Sequence, residues 1–227
     1  VKELCEAKTL YQPDDPPAVF RVATSAGEAQ EHLRVIRQAM ERSSKHSTLS
    51  GLSGVLAGLY ALTASLLTRD LMPRMGAADG AASRLQFVAI WGATLVLALV
   101  TDIVLTKRRA AQVGKTTFSP LGRQLARAVA PGLLAGLAVT AFMLLHPAAL
   151  GPYLYGFWML CYAVSLLSIG MFSVREVSLM GWAFLAVGTV SLLLPPDAPI
   201  GPRALMALSF GGFHIVYGVW MGVKHGW

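Results

Sequence analysis

The sequence predicts an all-α fold: a polytopic membrane protein, with a six-helix transmembrane bundle preceded by a cytosolic amphipathic helix. Three observations predict it. The 227 residues are 55% hydrophobic and only 14% charged, where soluble domains carry roughly 25% charged residues. The mean hydropathy is +0.56. The apolar residues beyond position 47 fall into six runs, each close to the ~17–25 residues a spanning helix needs. Lipid offers no partner to an unpaired backbone amide or carbonyl, so runs of this kind must be helices.

Residues 1–47 are polar. They hold seven acids (Glu3, Glu6, Asp14, Asp15, Glu28, Glu31, Glu41) and seven bases (Lys2, Lys8, Arg21, Arg34, Arg37, Arg42, Lys45), so the net charge of +7 belongs to the rest of the chain. Asp14-Asp15-Pro16-Pro17 reads as part of a loose tail. Ser25-Ala-Gly-Glu28 has the spacing of a capping box. Behind it Ala29, Leu33, Ile36 and Met40 mark one stripe of a helix over residues 26–46. That helix either lies against lipid or the protein's own loops, or docks on a partner or a second copy. The predicted divisions are a cytosolic tail and helix at 1–47, a six-helix transmembrane domain at 48–223, and a cytosolic C-terminus at 224–227. The first apolar run starts only near residue 48, and nothing before it reads as a cleavable signal peptide.

The six runs are Thr48–Leu67, Gln86–Thr106, Leu125–His146, Leu150–Gly170, Val177–Leu194 and Ala204–Val223. Turn residues separate them: Pro147, Gly151-Pro152, Pro195-Pro196 and Gly201-Pro202. Ser173-Val-Arg-Glu176 has capping-box spacing at the start of the fifth run, which makes Glu176 a helix cap on this reading. Lys107, Arg108, Arg109, Lys115 and Arg123 lie between the second and third runs, with Arg127 just inside the third. Arg42 and Lys45 precede the first run, Arg175 opens the fifth and Lys224 follows the sixth. The excess of Lys and Arg on one side sets both termini in the cytoplasm. It also predicts anionic lipid, rather than nucleic acid, as the partner of that basic loop.

Small residues recur at packing spacing: Ser50, Gly54 and Gly58 in the first run, Gly132 and Gly136 in the third, Gly211 and Gly218 in the sixth. Such rows let helix backbones approach closely, within one bundle or in a homodimer. Gly54-Val-Leu-Ala-Gly-Leu is echoed by Gly132-Leu-Leu-Ala-Gly-Leu, and Tyr155-Gly-Phe-Trp-Met by Tyr217-Gly-Val-Trp-Met, as duplicated hairpins would give.

The sixth run carries one ionisable residue at its centre, His214. An ionisable group at mid-depth is a functional candidate by default. It could ligate haem or a metal, relay a proton or ion, or bond a quinone or other small ligand together with Tyr162 and Tyr217. It could equally bond a hydroxyl of a neighbouring helix: Tyr60, Thr140, Tyr162 or Thr189. At ~1.5 Å per residue it lies ~15 Å from the end of its run. His46, His146 and His225 all sit near run ends, so depth argues against a bis-histidine haem, and no cofactor or metal is expected. Asp102 lies one turn before Lys107-Arg108-Arg109 and reads as their ion-pair partner, with an ion relay as the alternative. Cys5 and Cys161 form no CxxC motif. No P-loop, GxSxG or HExxH is present; a Ser–His pair could use Ser165 or Ser209, with nothing specific in the sequence to support it. The expected role is therefore a non-catalytic membrane subunit, sensor or scaffold. The alternatives are a quinone- or ligand-binding protein centred on His214, and a small transporter resting on Gly211-Gly212 as a helix break.

Glu41-Arg42-Ser43, Leu49-Ser-Gly-Leu-Ser-Gly-Val-Leu-Ala-Gly58, Phe172-Ser-Val-Arg-Glu176 and Gly211-Gly-Phe-His-Ile-Val-Tyr-Gly218 resemble segments of a group of small multi-pass bacterial membrane proteins. The resemblance spans most of residues 26–223. It implies a bacterial inner-membrane location and brings with it no activity and no site residue.

Overall fold

The computed structural model describes residues 27, 30–34, 51–75, 80–112, 120–146, 153–195, 198 and 200–225. The chain divides into two compact units, Val1–Ser43 and Ser44–Trp227. In the first, residues 30–34 are helical and exposed. Leu33 of the expected stripe is 64% exposed, and Arg34 pairs with Glu31 at 3.8 Å. Ser25 and Glu28, and with them the first capping box, lie outside the described residues.

The second unit is built of helices: α1 Gly51–Leu67, α2 Met72–Met75, α3 Ala81–Gln112, α4 Pro120–Leu145, α5 Leu154–Gly170 and α6 Arg175–Leu193. A last rod combines α7 Pro202–Met206, a π-helical segment Ala207–Phe213 and α8 His214–His225. Four stretches are long and apolar enough to cross a membrane: Ala81–Arg109, Gly122–Leu145, Arg175–Leu193 and Pro202–Lys224. The helices α1 and α5 are apolar but have only 17 residues each. At ~1.5 Å per residue they reach ~26 Å, a little under the ~30 Å hydrocarbon core. The expected first run includes residues 48–50, which lie outside the described residues. The fourth is described from Leu154 to Gly170, and Leu150 lies outside the described residues.

Antiparallel neighbours follow from which ends touch. Ser53, early in α1, donates to Asp102, late in α3, at 2.7 Å. At the opposite end, Trp91 Nε1 of α3 donates to Thr68 Oγ1, just past α1, at 3.3 Å. We call the first the basic end and the second the far end. The helix α5 packs between α4 and α6, and α1 packs between α3 and the last rod.

Two seams are made of small residues. In α1, Gly51, Gly54 and Gly58 meet Gly222, Gly218 and Gly211 of the last rod, main chain against main chain. Between α4 and α5, Gly132 faces Ser165 and the Cys161 carbonyl, while Gly136 has an ordinary 3.7 Å clearance to Cys161. Ser50 lies outside the described residues. Pro131 stands inside α4, where it removes one backbone donor.

Aromatic side chains fill the rest. At the far end Phe87 and Trp91 of α3 interlock with Tyr155 and Trp158 of α5, with ring centroids 5.7–6.4 Å apart.

The expected capping box Ser173–Glu176 does not form. The N-cap of α6 is Val174, with no side-chain cap bond, and Ser173 Oγ is buried without a partner. Glu176 instead bonds Lys224 of α8. Both charges also sit at the favourable ends of their helix dipoles. Lys224 is half exposed, so replacing it with glutamine is expected to cost about 0.5–1 kcal/mol. Thermal unfolding in detergent checks this: the loss should shrink as salt rises.

Candidate functional site

The π segment Ala207–Phe213 decides where His214 points. A π turn closes its hydrogen bonds one residue later than an α turn, and such segments are often found at functional positions. The sequence here is ALSFGGF. Gly211 and Gly212 do not break the helix, as the transporter reading required; the rod stays helical through them. Gly211 turns to Leu62 of α1, and the His214 ring turns to Tyr162 of α5 and Phe184 of α6.

The ring is buried. Its Nε2 lies 2.8 Å from the Tyr162 hydroxyl of α5. Its Nδ1 is enclosed and has no hydrogen-bond partner. The roles in the bond follow from the tautomer: with the proton on Nδ1 the Tyr162 hydroxyl donates to Nε2. Against this pair stand Phe184 of α6 and Phe210 of the π segment, and Phe213 packs on Phe184. Phe210 stacks on the imidazole at 6.0 Å and 14°. Phe184 meets the imidazole and the Tyr162 ring edge-on at 5.6 and 4.9 Å.

Of the four hydroxyls within depth, Tyr162 is thus the one bonded to His214. Thr140 bonds the Gly136 carbonyl and accepts from Trp158 Nε1. Thr189 bonds the Leu185 carbonyl, and Tyr60 is half-buried on α1. The serines considered for a catalytic pair are engaged elsewhere. Ser165 Oγ donates to the Val129 and Cys161 carbonyls, and Ser209 Oγ to the Met206 carbonyl.

Tyr217 lies one turn beyond His214. Its hydroxyl is enclosed and has no hydrogen-bond partner, yet it stands within electrostatic reach of Asp102, Tyr162 and Glu176. A buried hydroxyl without a partner calls for an explanation such as a bound water or ligand. Asp102 is half-buried and reaches across to Ser53 on α1. Polar groups therefore run from the Glu176–Lys224 pair at the basic end, past Asp102 and Tyr217, to Tyr162 and His214 at mid-depth. Among the described residues no group of three metal-ligating side chains occurs.

The rings around His214 were not legible as a site in the sequence. Phe210 and Phe213 flank the Gly-Gly pair, but nothing local ties them to Phe184 or Tyr162. The tyrosine echo is shared in character and not in depth. Tyr155 and Tyr217 both have enclosed hydroxyls without a partner, and Met159 and Met221 are both fully buried. Yet Tyr155 lies in the first turn of α5, and Tyr217 lies in α8, beyond the π segment. Duplicated hairpins would have left the pair at one depth.

The basic residues Lys107, Arg108 and Arg109 fall at the end of α3, and Arg123 at the start of α4. Lys115 lies outside the described residues. Comparison with protein-family models, with curated proteins and with solved structures found no match.

Proposed function

We propose that this chain is a six-span integral protein of a bacterial inner membrane, both termini cytoplasmic, with a non-catalytic role as subunit, sensor or scaffold. The observation that carries this reading is the engagement of His214. His214 is bonded to Tyr162 and packed against the rings of Phe184 and Phe210, so the fold itself uses it. The glycine seams support tight helix packing as the business of the membrane part. The helix over 26–46 is the element left to meet a partner, and the exposure of Leu33 fits that use. The test is purification from native membranes with and without residues 1–40. Co-purifying protein should be lost from the truncated chain; an unchanged set of partners overturns the docking role.

A second reading, a small-ligand protein, is favoured by one observation: the enclosed Tyr217 hydroxyl has no hydrogen-bond partner and stands within electrostatic reach of Asp102 and Tyr162. Quinone-like or other hydrogen-bonding headgroups suit a phenol at that depth. Tyr217→Phe should then strip a small molecule from the purified protein, read by mass spectrometry of its extract, while the melting temperature stays within a degree or two. Unchanged extract content rules this reading out.

A further inference from the structure

The helix α3 is longer than a membrane needs. Its 32 residues span ~48 Å at ~1.5 Å each, against a hydrocarbon core of ~30 Å. The surplus at its C-terminal end carries Lys107, Arg108 and Arg109. The next helix opens with Arg123 and Arg127 four residues apart, on one face. Arg108, Arg123 and Arg127 are all exposed. The two carboxylates described at this end each have a partner on another helix: Ser53 for Asp102 and Lys224 for Glu176. Among the described residues, α3 and α4 carry one carboxylate at this end, Asp102, against Lys107, Arg108, Arg109, Arg123 and Arg127, so their junction is net positive by count.

Beside it lie the two least covered of the four long apolar stretches. Only 6% of the most apolar stretch of α3 and 17% of that of α4 is buried, against 33% for α6 and 28% for the last rod. Leu95, Val96, Leu99, Val100 and Ile103 of α3 are each 40–60% exposed. The two helices meet only sparsely. A cationic mouth above an uncovered apolar wall has the chemistry of one occupant, a lipid with an anionic head and acyl tails.

We propose that the α3–α4 junction is a binding site for an anionic phospholipid, its phosphate on Arg108, Arg123 and Arg127 and its acyl chains along α3. The site rests on the membrane-spanning reading. That reading fails separately, if the chain fractionates away from membranes.

Native mass spectrometry of the full chain in detergent, with phosphatidylglycerol or phosphatidylcholine added, tests the site. The wild type should retain phosphatidylglycerol preferentially. A triple variant, Arg108→Gln, Arg123→Gln and Arg127→Gln, should weaken that binding on the order of a hundredfold, at about one surface charge's worth of attraction per residue. Each single variant should show a graded part of the loss, which keeps the test usable if the triple variant does not fold. Arg74→Gln with Arg84→Gln, at the far end, should leave retention unchanged. Equal retention of phosphatidylcholine, an unaltered triple variant, or displacement of the lipid by inorganic phosphate alone overturns the proposal.

Discussion

Replacing Gly218 with alanine should destabilise this protein by about 3 kcal/mol or more, at the upper end of overpacking costs. One methyl group has this effect because of what it meets. A Cβ on Gly218 would stand 2.6 Å from the Gly51 carbonyl oxygen and 2.9 Å from the Gly54 carbonyl carbon, and closer still to the Val55 amide nitrogen. A clash with the end of a flexible side chain relaxes by a rotamer change. A clash with main chain relaxes only if α1 and α8 move apart. They cannot part locally, because Gly54 and Gly58 are held against Gly218, Gly211 and Ile215 along the same seam. Opening it also draws α1 away from its bonds to α3. Gly92→Ala is the matched control. Gly92 is exposed on α3 and nothing lies within 4 Å of the added carbon, so only helix propensity changes, a gain of up to about 1 kcal/mol. Unfolding titrations of both variants in the same mixed micelles give the comparison. Equal stabilities for the two would mean that the α1–α8 seam is not a packed interface.

That seam was legible in part. Gly54, Gly58, Gly211 and Gly218 announce close approach by type and spacing, though which helix meets which is not written in either segment. The apolar runs mark where hydrocarbon must be satisfied, and the helices α3 and α4 extend beyond their runs, because a helix need not end where lipid does. Gln86–Thr106 thus became Ala81–Gln112. Glu176 was misread for the opposite reason. Capping boxes are local, whereas its partner Lys224 is 48 residues away. The π segment had no sequence signature beyond Gly211-Gly212, which reads equally well as a break. The ring cluster is wholly tertiary: Tyr162, Phe184 and Phe210 come from three helices, and only the fold brings them within 5.1 Å of one another.

Replacing His214 with alanine should cost about 3 kcal/mol, from the cavity left among aromatic rings and from the stranded Tyr162 hydroxyl. Tyr162→Phe should cost about 1 kcal/mol, since hydrogen bonds between membrane helices are individually weak. The informative variant is the pair Tyr162→Phe with His214→Phe. It removes both partners at once and keeps aromatic volume, and such exchanges are often close to neutral. If the pair serves packing and position, the double variant should recover most of the stability that His214→Ala loses, and it should keep whatever partner or ligand the wild type carries. If the imidazole or the phenol does chemistry, stability and function will separate: the double variant will fold like the wild type and lose the bound molecule or the associated protein. A double-mutant cycle on stability isolates the bond itself. A coupling near zero would show that the 2.8 Å contact contributes nothing to holding α5 against the last rod, and would remove the observation on which the non-catalytic reading rests.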